Sequence, residues 1–334
     1  MRAWRCNTYG DYNDLVIEDQ PDRDPGPGEI LVRPHASCIT FVEMLMVQGK
    51  YQHKPDLPFT PGGECGGDVV AVGEGVTRFK PGDKVMAGGG IGLHGGSFAE
   101  LMMAQDAGCN PLPTPFGYAE GAAFMSAYIT AYVSLAIRGQ LQAGETLLVH
   151  GAAGGVGLAA VELGKHMGAT VIATAGSDDK MAVLRQKGAD HVINYRLGEK
   201  GEHFRSQVKD LTGGLGADVI YDPVGGDVFD ESVRCIAPFG RLLVVGFTSG
   251  RIPSVSVNMP LIKQFSVVGV RAGEYGRLNP EGGRQSRKAI LDMAEAGHLM
   301  PHIHCHIPFE GLIDAFDEIE ARKVIGRMVL DINQ

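Results

Sequence analysis

The chain has 334 residues, 44% hydrophobic and 21% charged, which leaves room for two domains with full cores and excludes a disordered or fibrous protein. Its formal charge of −9 comes without any Lys/Arg run, so neither nucleic acid nor an anionic membrane is an expected partner. Six cysteines without a Cys-x-x-Cys pair argue against a disulfide framework; with no apolar leader after Met1 and no charge-free run of membrane-spanning length, a cytoplasmic location is expected.

In chain order, residues 1 to about 120 predict many short strands. Glu29-Ile-Leu-Val-Arg33 and Gly67-Asp-Val-Val-Ala-Val72 are two of them, punctuated by Pro25-Gly-Pro-Gly28, Pro61-Gly-Gly63 and Pro81-Gly-Asp83. This part reads as a β-rich barrel or sandwich. Helical periodicity then covers 119–138, and strands are predicted at 146–150, 170–174, 191–194, 218–221 and 241–245 with helices between them. Such alternation implies a parallel sheet covered on both faces. Beyond 262 come a strand at 265–270, a polar arginine-rich stretch, helices at 284–297 and 309–321, and a last strand at 326–330. The fold class is therefore α/β. A β-rich domain of residues 1–122 and 263–334 receives a nucleotide-binding domain of residues 123–262, and a cleft between the two is where cofactor and substrate would meet.

The segment Thr146-Leu-Leu-Val-His-Gly-Ala-Ala-Gly-Gly-Val-Gly157 carries the strongest chemical signal. An apolar strand runs into a glycine turn and then a helix, so the backbone at Gly154, Gly155 and Val156 approaches a pyrophosphate and the helix points its free N–H groups at the charge. The strict fingerprint has Gly where Ala152 stands. At the end of the next strand, Ala175 takes the place of the acid that would hold a ribose 2′-OH in an NAD site. Without that carboxylate a 2′-phosphate is not repelled, and Lys180, one helical turn on, supplies positive charge. NADPH is the expected cofactor, although Asp178 and Asp179 oppose it unless they serve as cap and first turn of the helix.

Several motifs in order resemble the medium-chain dehydrogenase/reductase superfamily, and within it the zinc-independent quinone oxidoreductases, the group that includes zeta-crystallin. They are Gly49-Lys-Tyr51, Pro58-Phe-Thr-Pro-Gly-Gly-Glu64, Val72-Gly-Glu-Gly-Val76, Phe79-Lys-Pro-Gly-Asp-Lys-Val85 and Gly96-Ser-Phe-Ala-Glu100, followed by Ala152-Ala-Gly-Gly-Val-Gly157, Gly188-Ala-Asp-His-Val-Ile-Asn-Tyr195, Asp222-Pro-Val-Gly-Gly226 and Gly326-Arg-Met-Val-Leu330. The resemblance covers essentially the whole chain. It implies a GroES-like catalytic domain with an inserted Rossmann domain, a doubly wound parallel sheet. It also implies that Gly176, Ser177, Lys180 and Tyr195 hold the 2′-phosphate. Thr130, Val224, Gly246, Phe247, Val270, Arg271 and Arg322 become further cofactor-binding candidates. A homodimer is the implied assembly, with the 265–270 strand as an edge for pairing between subunits.

Zinc members of the superfamily bind a catalytic metal through positions that align with Thr40, Gly63 and a residue near Ser126, none of them a soft or imidazole ligand here. Only a short glycine-rich loop lies between Val85 and Phe98, where the structural-zinc lobe would be. No metal is expected at Cys38 or Cys65. His302-Ile-His304-Cys-His306 would present three imidazoles on one strand face, a solvated face or an adventitious metal site.

Without a Lewis acid, the favoured hydride acceptors spread charge themselves: quinones and α,β-unsaturated carbonyls. Thr40, at the position of a usual family Asn, and Tyr51, at that of a cleft tyrosine, are the candidate catalytic residues; ordinary packing is the other role open to Tyr51, and Leu45 replaces a second family tyrosine. Arg271, Arg277, Arg284 and Arg287 would suit a coenzyme A thioester if they were not simply solvated. The expectation is an NADPH-dependent, metal-free reductase of quinones or activated alkenes. The alternatives are a thioester reductase, an NADPH-binding protein without physiological catalysis and, given ligands the alignment denies, a zinc alcohol dehydrogenase.

Overall fold

A computed structural model of the chain describes residues 1–88, 95–195 and 204–333. The first strands are β1 (Arg2–Arg5), β2 (Val16–Asp19), β3 (Glu29–Ile39), β4 (Glu64–Val72), β5 (Lys84–Gly88), β6 (Met102–Gln105) and β7 (Cys109–Pro111), with helix α1 (Phe41–Val47) after β3. Helix α2 (Tyr118–Tyr132) continues into a π-helical turn, Val133–Arg138. Alternation follows: β8 (Thr146–Val149), α3 (Gly155–His166), β9 (Thr170–Ala175), α4 (Asp178–Gln186), β10 (His191–Asn194), α5 (Phe204–Leu211), β11 (Ala217–Asp222), α6 (Gly226–Cys235) and β12 (Ile236–Val244). The chain closes with α7 (Asn258–Lys263), β13 (Ser266–Gly269), α8 (Ala272–Leu278), α9 (Pro280–Glu295), β14 (Ile303–Pro308), α10 (Leu312–Glu320) and β15 (Arg327–Asp331).

Two compact units result, Met1–Ser126 with Met300–Gln334, and Ala127–Leu299. In the first, β1 and β2 form a hairpin, and a seven-stranded sheet runs β14-β15-β3-β4-β5-β7, with β6 also on β3. The pairs Met328↔Ile39 and Ser37↔Cys65 place β3 between strands from opposite ends of the sequence. One core cluster packs Trp4, Phe59, Phe98, Phe309, Phe316 and Leu330 together. The Trp4 indole donates to the Phe309 carbonyl at 2.8 Å, which satisfies its N–H where water is excluded. Burying Phe316 alone contributes about 2–3 kcal/mol.

The second unit is a six-stranded, wholly parallel sheet in the order β10-β9-β8-β11-β12-β13. Leu147, Leu148, Val149, Val219, Ile220 and Tyr221 are fully buried, as central strands of such a sheet must be when helices cover both faces. Taken in order within the unit, the strands run 3-2-1-4-5-6. The winding reverses between β8 and β11, where the carboxyl ends open a crevice.

Four expectations change. The second boundary falls after Leu299 rather than at 262, because β13 adds to the parallel sheet (Leu242↔Val267) and α8 and α9 follow it in the same unit. The arginine-rich stretch contains helix α8, hidden in the sequence by Gly273 and Gly276. Tyr118–Arg138 does reach membrane-spanning length and apolarity, yet its buried Phe124, Ala127, Tyr128 and Ala131 are core residues. His302 precedes β14, so the exposed strand face carries His304 and His306 only; a bulge separates Ile303 from Cys305, and His306 Nδ1 lies 2.9 Å from Asp331. Among the described residues no three His, Cys, Asp or Glu side chains are grouped as metal ligands. Part of the glycine-rich loop between Val85 and Phe98, residues 89–94, lies outside the described residues.

Candidate functional site

In the second unit the predicted residues gather along the carboxyl ends of all six strands. After β8, Gly151 adopts φ +54°, so the sharp turn is made one residue before Ala152, and the Ala in the first fingerprint position costs nothing. Gly157 lets α3 sit on that turn: a Cβ there would lie 2.3 Å from the Gly151 carbonyl oxygen. Gly154 is the exposed N-cap residue, and no side chain caps α3. A Cβ on Gly154 would meet nothing nearer than 3.4 Å, so the space in front of the helix is open. The N–H groups of Gly155 and Val156, with the positive end of a 12-residue helix, are fitted to a phosphate in that space.

Beside it, β9 ends at Ala175, which is buried, and Gly176 and Ser177 lead into α4. Ser177 is the N-cap residue without a side-chain bond to the helix, while Asp178 and Asp179 occupy the first turn with Lys180 behind them. Parallel pairing of β10 with β9 (Asn194↔Ala175) and the bond from Tyr195 N to Ala175 O at 3.2 Å bring Tyr195 alongside Gly176. The four residues expected at a 2′-phosphate are thus drawn to one edge of the strand ends.

On the other side of β8, the buried Asp222 carboxylate accepts from the N–H groups of Val224 at 2.8 Å and Gly225 at 2.9 Å. Burial pushes its pKa up and these bonds pull it back. Pro223 and Val224 lean on Gly151, and the loop after β12 locks to them through Val245 N to Asp222 O at 2.9 Å and Thr248 N to Pro223 O at 3.1 Å. Gly246 and the exposed Phe247 sit in that loop. Val270 N donates to Val244 O at 3.0 Å, which sets Val270 and Arg271 at the end of β13. Thr130 lies in α2, its carbonyl accepting from the Ser134 hydroxyl of the π-helical turn at 2.6 Å. Arg322 belongs to the first unit, in the left-handed region at φ +57°.

The first unit holds the candidate catalytic pair. Thr40 follows β3 and caps α1; just before it Ser37 lies opposite Cys65 and donates to the Glu64 carbonyl at 2.9 Å, and the Glu64 carboxylate accepts from Ser126 N at 2.6 Å. Thr40, Gly63 and Ser126, the positions aligned with metal ligands, therefore converge at one end of this sheet. Tyr51 follows α1, half-buried, and its hydroxyl bonds no other described residue. The paired arginines are engaged locally: Arg271 with Glu274 at 3.7 Å, Arg277 with Glu274, and Arg284 with Glu281.

Sequence reasoning missed three charged residues here, because Asp, Glu and Arg read as surface. Glu43 is buried and bonded to Thr40, and its pKa is raised to about 7 by burial. The Glu64 pKa is also raised by burial, and Arg327 carries a buried Nε without a hydrogen-bond partner among the described residues. The spacing Thr40-x-x-Glu43, a capping box, was the available signal. In the second unit, His150 was also overlooked. Burial lowers its pKa to about 3, and its ring lies between the hydroxyls of Thr174 at 3.1 Å and Ser232 at 2.9 Å.

Comparison with known proteins agrees with this geometry. Residues 155–285 match the family model of a zinc-binding dehydrogenase, and residues 26–114 that of an alcohol dehydrogenase GroES-like domain. Quinone oxidoreductase-like protein 2 of Bos taurus is 38% identical, over 99% of this chain and 97% of its own. Human quinone oxidoreductase is 31% identical, again over 99% and 97%. Among solved structures, Escherichia coli quinone oxidoreductase complexed with NADPH superposes with a TM-score of 0.88 at 26% identity, covering 99% of this chain and 100% of that one.

Proposed function

This chain belongs to the quinone oxidoreductase-like branch of the medium-chain dehydrogenase/reductase superfamily, and from that premise we propose that it is an NADPH-dependent reductase of quinones or α,β-unsaturated carbonyls that works without a metal. One observation carries the cofactor choice: Ala175, not an acid, ends β9 beside Gly176, Ser177, Lys180 and Tyr195. An acid there would repel a 2′-phosphate, whereas the Lys180 ammonium attracts it. The start of α3 takes the pyrophosphate through N–H groups. Thr130, Val224, Gly246, Phe247, Val270, Arg271 and Arg322 complete the proposed binding set.

When bound, NADPH supplies a hydride from its dihydronicotinamide ring. The chain's own part is orientation and a hydroxyl toward the acceptor, from Thr40 or Tyr51. Metal independence is supported by residue chemistry, since Thr40, Gly63 and Ser126 offer no thiolate, imidazole or carboxylate. The stretch matched to the zinc-binding dehydrogenase model contains none of the three. A thioester substrate gains no support, because Arg271 and Arg277 share Glu274 and Arg284 pairs with Glu281, so these arginines are engaged locally.

We also propose a homodimer formed through the edge strand β13. Val257, Leu261 and Ile262, beside it in sequence, are 82%, 77% and 70% exposed, an apolar surface a second copy would cover. Leu261→Asp should then give a monomer by light scattering. Six unpaired cysteines support a reducing, cytoplasmic setting.

The central test is fluorescence titration with NADPH and NADH. NADPH should bind at least about tenfold more tightly, and Lys180→Ala should remove most of that preference, since one charge-assisted contact is worth about 1.5–3 kcal/mol. Turnover of a simple quinone should survive exhaustive chelation. Activity lost to a chelator and regained with zinc would overturn the metal-free reading, and tight NADPH binding without oxidation by any quinone or enone would leave a binding protein instead.

A further inference from the structure

Thr40 and Glu43 are built as a pair. Thr40 is the N-cap of α1, and Glu43 is its third residue, with 3% of its surface exposed. Thr40 N donates to Glu43 Oε2 at 3.0 Å, the Thr40 hydroxyl donates to the same oxygen, and Val42 N donates to Thr40 Oγ1 at 3.2 Å. Apart from its own backbone N–H, the Glu43 carboxyl has no other hydrogen-bond partner among the described residues. Thr40 itself is only half-buried. Its hydroxyl is thus the hydrogen-bonded exit from an enclosed carboxyl.

The titratable and charged groups facing this carboxyl come from three strands: the neutral Cys38 thiol on β3, Glu64 on β4 and Arg327 on β15. Burial raises the Glu43 pKa to about 7 with Glu64 adding to it, while the bonds from Thr40 and the Arg327 guanidinium oppose the rise. Arg327 lies beyond ion-pair distance of both carboxylates, so its charge steadies Glu43 without locking it in the ionised form. Both protonation states are accessible near neutrality, the condition for handing a proton on and recovering it.

We infer that Thr40 and Glu43 form a two-residue proton relay, in which the Thr40 hydroxyl protonates a reduced enone and Glu43 resupplies Thr40 from behind. This rests on the reductase reading above. Hydride addition at the β-carbon of an enone leaves the electron pair of the former double bond as an enolate. The Thr40 O–H bond breaks as its proton closes the α-carbon. The Glu43 O–H bond breaks as Thr40 is reprotonated, leaving a Glu43 carboxylate. A water proton arriving through Thr40 restores the acid, so each turnover consumes one hydride and one solvent proton. Glu43 is a positioning and supply residue; Thr40 is the group that touches substrate.

The test is the pH dependence of kcat for an enone with NADPH, with a quinone in parallel. In the wild type the enone rate falls about tenfold per unit above pH 7, as the acid form is titrated away, while the quinone rate shows no such limb because solvent protonates its product. Glu43→Gln keeps the capping box, loses the limb and lowers the enone kcat at pH 6 by roughly a hundredfold. Thr40→Ser retains the limb and Thr40→Val abolishes it. A limb that persists unchanged in Glu43→Gln or in Thr40→Val overturns the relay, since a cap alone would leave the profile where it was. Failure of the wild type to reduce either acceptor overturns the reductase reading beneath it.

Discussion

The two units treat polar groups in opposite ways. The second assembles its candidate site from main chain, with N–H groups at the start of α3, glycines at strand ends, and interior side chains such as His150 kept neutral and hydrogen-bonded. The first encloses ionisable side chains, Glu43, Glu64 and Arg327, at the end of its sheet. A main-chain site ignores pH and most side-chain changes but, where backbones meet as at Gly157, has no room for an added carbon. A side-chain site tolerates a change of shape and responds to every proton. Where the two were joined in one enzyme, the first kind suits holding a cofactor and the second suits chemistry.

The sharpest way to break this contrast is Gly157→Val. Its Cβ would press on the Gly151 carbonyl oxygen and the Ala152 backbone, so a loss of about 5 kcal/mol from the second unit, the upper end of single-residue effects, is expected along with NADPH affinity. Circular dichroism and cofactor titration check it. Phe316→Ala should cost about 3–5 kcal/mol in the first unit alone, read by calorimetry as a downward shift of one of two transitions.

The smallest effect concerns acid. His150 takes up a proton at 6.5 when unfolded but only near 3 when folded, so the unfolded chain binds the extra proton between those values and stability falls as pH drops through them. A loss of roughly 1 kcal/mol per unit is expected below pH 6.5, measured by thermal unfolding from pH 7.5 to 5.5 and flattened in His150→Gln. Glu43 runs the other way. Its folded pKa is raised from 4.5 to about 7, so raising the pH across that range weakens the first unit.

The parallel strands were legible because each is a short apolar run between turn signals; β10 was predicted at its observed limits, 191–194, and β8 within one residue. The glycine fingerprint was legible as a motif, but which glycine turns the chain was not, since the backbone strain is carried by Gly151 and not by position 152. The second boundary was obscured although the strand itself was predicted at 265–270, because an apolar run does not say which sheet it joins, and β13 pairs as an edge with β12. Glu43, Glu64 and Arg327 went unread for a plainer reason: nothing in a string of letters distinguishes a buried carboxylate from a solvated one until a sheet end closes over it.

The position of β15 has a consequence for biosynthesis. This strand is inserted between β14 and β3, yet it follows β3 in sequence only after the whole of the parallel-sheet unit. The parallel sheet of residues 127–299 is complete in sequence before β15 is made, so it can fold as it is translated. Strand β3, by contrast, keeps one side uncovered until residues 327–331 are made, which makes the nascent segment that carries it the natural client for a chaperone.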